Sequence, residues 1–399
     1  MSSRSVLRVP GFRAAGVRCG IKEAGRDLAL VVSDVPAAVA GVFTRSSVVG
    51  APVEVSRQRV RSGRSRGLVA NSGVSNVALG ARGLRAAEAM AEAAARALGA
   101  DPREMLVAST GVIGRPLPLP RIRRGILAAA RELRGDGLRS AAEAIMTTDR
   151  SPKLALALAR VGGREIRVAG IAKGAGMIEP RMATMLAFLF TDAAVAPPFL
   201  RQVLRRVADA SFNRVSVDGE TSTSDMALLF ANGVAGNPAL RGPRSPGAAR
   251  FEAAVAEVSL ALARELARDG EGATKLVTVR VTGAASAAEA ERAARRIANS
   301  LLVKTALFGG DPNWGRILQT VGAARVRLDL SRARVALAGV TLFRGGAAAG
   351  PAARARCAAR LGAREIGIDV HLAAGRAGTR VFTCDLGYDY VRINAEYTT

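Results

Sequence analysis

Two short segments of the 399-residue chain carry side chains whose order suits acyl-transfer chemistry. The first is IAKGAGMIEPRMATMLAFLFTDA, residues 171–193, which sets Ala183–Thr184 before an apolar run. A polar residue at that place can simply open a buried strand. It can also become a nucleophile by self-cleavage. The Thr184 hydroxyl can attack the Ala183 carbonyl, and hydrolysis of the resulting ester frees Thr184 as a new N-terminus. Such a threonine needs no histidine, because its own α-amine serves as base. A free α-amine titrates at about 7.7–8.0, close to the optimum for a general base at neutral pH. The second segment is VASTGVIGRPLP, residues 107–118. Thr110–Gly111 sits where a strand pattern gives way to a glycine-bearing turn. The pair is either a plain turn or an oxyanion hole built from a hydroxyl and a backbone N–H. Each such donor is typically worth roughly 3–4 kcal/mol of barrier.

Composition narrows the alternatives. His371 is the one histidine, so no HExxH metal site exists and a serine–histidine triad could use no other residue. Cys19, Cys357 and Cys384 show no CxxC spacing. Of the 58 basic residues, 53 are arginine. The lysines are Lys22, Lys153, Lys173, Lys275 and Lys304, and none follows a glycine, so there is no GxxxxGK phosphate loop. A net charge of +25 raises nucleic acid as a partner. The arginines, however, are scattered from Arg4 to Arg392, and aromatics are only 4%, too few for a base-stacking platform. The expectation is no nucleic-acid partner, and a chain drifted toward arginine in which each surviving lysine is informative. Charges interrupt every long apolar stretch, so no membrane span is expected. Three cysteines without a signal-peptide pattern predict a reducing cytoplasm.

The elements that must position these residues alternate between strand and helix, which predicts an α/β or α+β protein. Strands are expected at 28–32 and 39–44, separated near Pro36, and at 165–171, 215–217, 275–282, 365–371 and 379–384. Helical periodicity covers 78–99, 121–146, 198–211, 246–268, 284–300 and 351–362. Residues 182–191 form a buried run, 324–341 alternate as strands, and Asp311, Asn313 and Trp314 mark a folded loop.

The motifs resemble the ornithine acetyltransferase (glutamate N-acetyltransferase, ArgJ) family nearly end to end. The matches are GFRAAGVRCGIKEAGRDLALVVSD (11–34), GVFTRSSVVGAPV (41–53), STGVIGRPLP (109–118) and IMTTDRSPK (145–153), followed by KGAGMIEPRMATML (173–186) and SFNRVSVDGETSTSDMALLFANG (211–233). DGEGATK (269–275), VKTALFGGDPNWGRI (303–317) and YVRINAEYTT (390–399) complete the series. The resemblance implies a layered α-β-β-α sandwich shared with the N-terminal-nucleophile aminopeptidases of the DmpA type. It implies cleavage between Ala183 and Thr184 into an α chain, 1–183, and a β chain, 184–399, assembled as two of each. It assigns Thr184 as nucleophile, and Thr110 and Gly111 as oxyanion hole. It assigns substrate binding to Lys173, Glu271, Asn394, Thr399 and one threonine of Thr147–Thr148, with Thr147 favoured.

The implied reaction carries the acetyl group of N2-acetylornithine through an acetyl-Thr184 ester to glutamate, by ping-pong kinetics, in arginine biosynthesis. Lys173 suits the α-carboxylate common to both amino acids and Glu271 suits an amine. No metal or organic cofactor is implied, and acetyl-CoA stays open as a second acetyl donor. Three departures leave substrate preference open. Residues 71–76 read NSGVSN where the family has NSGNAN, Ser224 replaces an asparagine in TSTSD, and 317–322 read ILQTVG rather than ILAAVG. The rival readings are a hydrolase of the same fold, in which water replaces glutamate, and a secondary-metabolism paralogue. Asn213, Asp218 and Thr221 are expected to brace the site, Cys384 to be a buried apolar residue, and Lys304 has no derivable role.

Overall fold

The computed structural model describes residues 7–179 and 185–396. Fourteen strands and eleven α-helices occur among them. The first half runs β1 (Phe12–Val17), β2 (Leu28–Phe43), α1 (Ala51–Arg59), β3 (Arg64–Val74), α2 (Gly80–Leu98), β4 (Met105–Val112), α3 (Leu119–Arg131), α4 (Leu138–Ile145), β5 (Lys153–Val161) and β6 (Arg164–Lys173). Next come β7 (Leu186–Thr191), α5 (Pro197–Ala210), β8 (Met226–Ala231), α6 (Ala248–Arg268), β9 (Leu276–Ala284), α7 (Ala287–Ala298), α8 (Leu301–Phe308) and α9 (Trp314–Ala323). The chain ends with β10 (Arg334–Leu337), β11 (Val340–Arg344), β12 (Ala347–Ala348), α10 (Pro351–Ala358), β13 (Glu365–His371), β14 (Ala377–Cys384) and α11 (Tyr388–Glu396).

The strands form two sheets. The larger has the order β4-β3-β2-β8-β7-β6-β5, with β1 also paired to β2; the smaller has the order β12-β11-β10-β13-β9-β14. The expected layered α/β class is therefore what the chain adopts. At the centre of the larger sheet, β7 and β8 run parallel and every residue of both is buried. Both faces of such a pair must be covered, so the sequence is continuously apolar rather than alternating. Leu186, Phe188 and Phe190 with Met226, Leu228 and Phe230 face one core, shared with α4. Ala187 and Leu189 with Ala227 and Leu229 face the other, against Phe199, Leu204, Phe251 and Leu262 of α5 and α6. Each buried Phe or Leu contributes about 1.5–3 kcal/mol. Helix α6 packs on β5 and β6 and reaches across to β9 and β14 of the smaller sheet.

Several local expectations change. Residues 28–43 form one strand, not two: Asp34, Val35 and Pro36 are exposed at a register shift between Val32 and Ala37. A bulge is where a strand tolerates a residue without an N–H. The helix expected at 121–146 is two helices. Gly137 ends the break between them, and a Cβ there would lie 1.8 Å from the Ala14 carbonyl oxygen, so only glycine lets α4 start this close to β1. Residues 215–217 contribute only a single bridge, Val215 to Phe382. Of 324–341, only 334–337 and the start of β11 are strand. The loop expected around Asn313 opens α9, whose first turn Asn313 caps by accepting from the Arg316 N–H (3.0 Å).

Candidate active site

Thr110 and Gly111 come just before the last residue of β4, Val112; the strand runs parallel to β3 with Ser72 opposite Thr110 and Gly73 opposite Gly111. The two glycines touch. A Cβ on Gly111 would sit 2.4 Å from the Gly73 carbonyl carbon, and Gly111 has φ +124°, a conformation disfavoured for other residues. Close packing thus requires glycine here, whatever the N–H does for catalysis. Ser109 donates to Asn71 (2.6 Å) and Asn71 donates to the Val74 carbonyl (2.9 Å), which ties the strand ends together.

Lys173 ends β6, opposite Leu186 of β7, and its buried ammonium donates to the Thr110 hydroxyl (3.2 Å). Thr147 and Thr148 follow α4. The turn is held by Asp149, which accepts from the Thr147 N–H (3.0 Å) and from the Gly174 N–H (2.6 Å). Glu271 follows α6 and hangs from the chain after β6 through its N–H to the Ala175 carbonyl (2.9 Å). Its carboxylate accepts from the Asn394 amide (2.8 Å). Gly176 has no side chain because Glu271 Oε2 would lie 2.3 Å from a Cβ there. Gly272, at φ +68°, lets α11 in: a Cβ would lie 2.4 Å from the Tyr390 nitrogen.

These residues share one cavity of about 100 Å³. Seven sequence-predicted site residues line it: Thr110, Gly111, Thr147, Thr148, Lys173, Glu271 and Asn394. Met185, bonded to Thr184, is in its wall. Ala183, Thr184 and Thr399 lie outside the described residues. Both threonines of the Thr147–Thr148 pair reach the cavity, so the structure does not favour one over the other.

Sequence reasoning missed Asp225, which also lines the cavity. It is buried, and among the described residues its Oδ2 has no hydrogen-bond partner. Burial pushes its carboxyl well above the usual range, against opposing pulls from Ser222 and the Lys173 ammonium. The signal for it was present: the polar run TSTSD stands directly before the apolar strand β8. Ser75 and Ser224, both within departures from the family motifs, line the cavity as well, whereas Gln319 and Thr320 do not. Burial pulls the Lys173 ammonium below its usual pKa, and Lys153 adds to this; Asp149, Asp225 and Glu271 oppose.

Of the residues expected to brace the site, Asp218 and Thr221 act on the segment leaving β6, whereas Asn213 does not line the cavity. Asp218 accepts from the N–H groups of Met177 (2.6 Å) and Ile178 (2.8 Å), which fixes the segment leaving β6. Thr221 donates to the Glu179 carbonyl (3.3 Å) in the same segment, and Asn213 donates to Asp209 (2.7 Å). Cys384 is buried as expected. Lys304 is structural: it donates to Thr383 (3.1 Å) and to the Cys384 carbonyl, joining α8 to the end of β14. Among the described residues, no group of three or more His, Cys, Asp or Glu side chains is placed to hold a metal. No helix among them is long and apolar enough to cross a membrane.

The cavity thus brings together one cation, Lys173, the Thr110–Gly111 pair and two carboxyl groups, Asp225 and Glu271. The ArgJ family model matches residues 13–399. A Geobacter sulfurreducens protein named Arginine biosynthesis bifunctional protein ArgJ is 50% identical, over 98% of this chain and all of its own length. A Symbiobacterium thermophilum protein of the same name is 48% identical over 98% of this chain and 97% of its own. The crystal structure of the ArgJ protein from Bacillus halodurans is 40% identical with a TM-score of 0.51, covering 54% of this chain and 100% of that chain. The chain belongs to the ArgJ family.

Proposed function

We propose that this chain is a self-processing acetyltransferase that moves the acetyl group of N2-acetylornithine to glutamate in arginine biosynthesis. Cleavage between Ala183 and Thr184 gives chains 1–183 and 184–399 and exposes the Thr184 α-amine. That amine takes the proton of the Thr184 hydroxyl as the oxygen attacks the acetyl carbonyl. The Thr110 hydroxyl and the Gly111 N–H stabilise the oxyanion. The amine returns the proton to the departing nitrogen of ornithine, and an acetyl ester stays on Thr184. Glutamate's amine attacks that ester, and N-acetylglutamate leaves as Thr184 regains its proton. Lys173 receives the α-carboxylate, Glu271 with Asn394 faces an amine, and one of Thr147 and Thr148 completes the pocket with Thr399. An amide donor and an alcohol acceptor need neither metal nor organic cofactor.

The observation that carries this reading is the position of Met185. The residue bonded to Thr184 is in the wall of the cavity that Thr110, Gly111 and Lys173 share. A second observation supports the cut. The Bacillus halodurans chain is matched over its whole length by 54% of this chain, and residues 184–399 make up that same share. The relatives are named bifunctional, and the reading keeps acetyl-CoA as an additional donor to be tested. The assembly we propose is two α and two β chains, in the cytoplasm.

Intact-mass measurement tests the cut: wild type gives two fragments that meet before Thr184, and Thr184→Ala gives one species of 41.2 kDa without transfer. Normal processing in that variant refutes the assignment. Ornithine release from acetylornithine is then measured with and without glutamate, and N-acetylglutamate formation with acetyl-CoA as alternative donor. Release that ignores glutamate means a hydrolase instead.

A further inference from the structure

Below the cavity lies a buried charge cluster that the proposed mechanism does not use. Lys153 opens β5, opposite Ala172, one residue before Lys173. Its side chain is 1% exposed, and its ammonium is shared between Asp149 (2.6 Å) and Asp269 (2.7 Å), themselves 0% and 8% exposed. Asp149 also accepts from the N–H of Gly174, the residue after Lys173, and from the N–H of Thr147. Asp269 accepts from the Arg150 N–H (3.0 Å) and guanidinium (3.1 Å), and stands two residues before Glu271. The cluster therefore touches the backbone beside Thr147 and Lys173, and adjoins Glu271. It also crosses the 183/184 junction, since Asp149 and Lys153 precede it and Asp269 follows it.

Buried ions are costly unless paired, so the cluster is unlike a surface ion pair in what its removal does. Two carboxylates share Lys153, and the Arg150 guanidinium also pairs with Asp269 (3.1 Å), so the cluster is balanced in charge. Asp149 is the member whose backbone partners, the N–H groups of Thr147 and Gly174, reach the cavity's edge beside Lys173. We propose that Asp149, held in place by Lys153 and Asp269, is the positioning residue that keeps Lys173 charged and aimed as the cavity's receptor for a substrate carboxylate. The inference rests on the proposed role of Lys173. Among the described residues, the titratable groups around Lys173 are Lys22 from the turn after β1, Asp149 in the turn before β5, Lys153 at its start, Asp225 before β8, and Glu271 after α6. Asp149 opposes the loss of the Lys173 proton, and Lys153 favours it.

The opposite signs of these two effects make a test. The probe is glutarate, which has both carboxylates of glutamate and no amine. Nothing in it titrates between about pH 6 and 10, so a pH step in its affinity belongs to the protein. Calorimetry on the processed protein measures its dissociation constant across that range. Wild type is expected to lose affinity in an alkaline step below the ordinary lysine value of 10.5, and Lys173→Met to lack that step, keeping at most one from the Thr184 α-amine at about 7.7–8.0. Asp149→Asn removes one negative charge, and the step moves down by about one pH unit, the usual size of an effect from one close charge. Lys153→Met removes a competing cation, and the step moves up. Equal weakening at every pH in both variants, or no step in wild type, overturns the proposal. If Asp149→Asn does not fold, Lys153→Met and the wild-type step still decide it. Glutarate binding requires no acetyl transfer, so a protein with the expected steps and no transferase activity sinks the function reading alone. Intact transfer with unshifted steps sinks this proposal alone.

Discussion

Every lysine of this arginine-rich chain is engaged. Lys22 donates to the Met146 carbonyl (2.9 Å), immediately before Thr147, and Lys275 pairs with Asp385 at 3.7 Å. Lys153, Lys173 and Lys304 are buried. Scarcity therefore marked lysines with specific work, but it could not separate the one in the cavity from the two that hold the fold. The partners that separate them are remote: Lys153 meets Asp269 at a sequence distance of 116 residues, and Lys304 meets Thr383 at 79. No local pattern encodes such a pairing. The same holds for Asp149 and Asp225, which lie inside motifs read for their neighbours. Replacing Lys173 with alanine is expected to raise KM for acetylornithine and glutamate together by roughly 10–100-fold, the worth of about 1.5–3 kcal/mol for a hydrogen bond to a charged group. Steady-state kinetics on the processed enzyme check this, and an unchanged KM for both leaves Lys173 a structural residue.

At the level of elements, legibility followed amphipathic period. Helices α2, α6 and α7 have one apolar face over three or more turns, and the sequence reading came within three residues of their ends. Strand β5 was not seen because it is the sheet's edge, and six of its nine residues are half covered or exposed. Strand β3 was missed because its buried end, Asn71–Ser72–Gly73, is polar and small. Its asparagine serves the neighbouring strand ends rather than solvent. Helix α11 was missed because no residue of it is buried, so no apolar stripe marks it. It nevertheless carries Asn394 to Glu271, and it docks through the missing Cβ of Gly272. Gly272→Ala is expected to push α11 outward and raise KM for both substrates at least severalfold, while leaving self-cleavage intact. Mass spectrometry and kinetics on one sample separate these two effects, and unchanged KM shows that α11 tolerates the displacement. Gly111→Ala is a poor probe of the oxyanion hole, because its first effect is a collision with Gly73.

Across the whole molecule, the larger sheet is built from both sides of the 183/184 junction. Strands β7 and β8 are inserted between β2 and β6, so residues 1–183 supply two groups of strands with a gap between them. Residues 1–183 expressed alone are therefore expected to be unfolded or aggregated, as circular dichroism and solubility would show; a soluble, cooperatively melting fragment contradicts this. The cluster beneath the cavity adds a pH dependence. Burial would raise the Asp149 carboxyl, but Lys153 and Lys173, with hydrogen bonds from Lys153 and the Gly174 N–H, bring it down from 3.8 to about 2. A carboxyl depressed in the folded state contributes stability that is complete above its unfolded pKa and lost as pH falls through its folded one. Urea melts should thus weaken between about pH 4 and pH 2, and Asp149→Asn should flatten that slope. An identical slope in the variant removes Asp149 from the account.

The insertion of β7 and β8 also sets an order of events during synthesis. Strand β2 has no inner neighbour until residue 231 has left the ribosome. The larger sheet cannot close, and the cavity wall at Met185 cannot form, until then. A translation product stopped short of that point stays inert, so the enzyme proposed here arms itself only once β8 has been made.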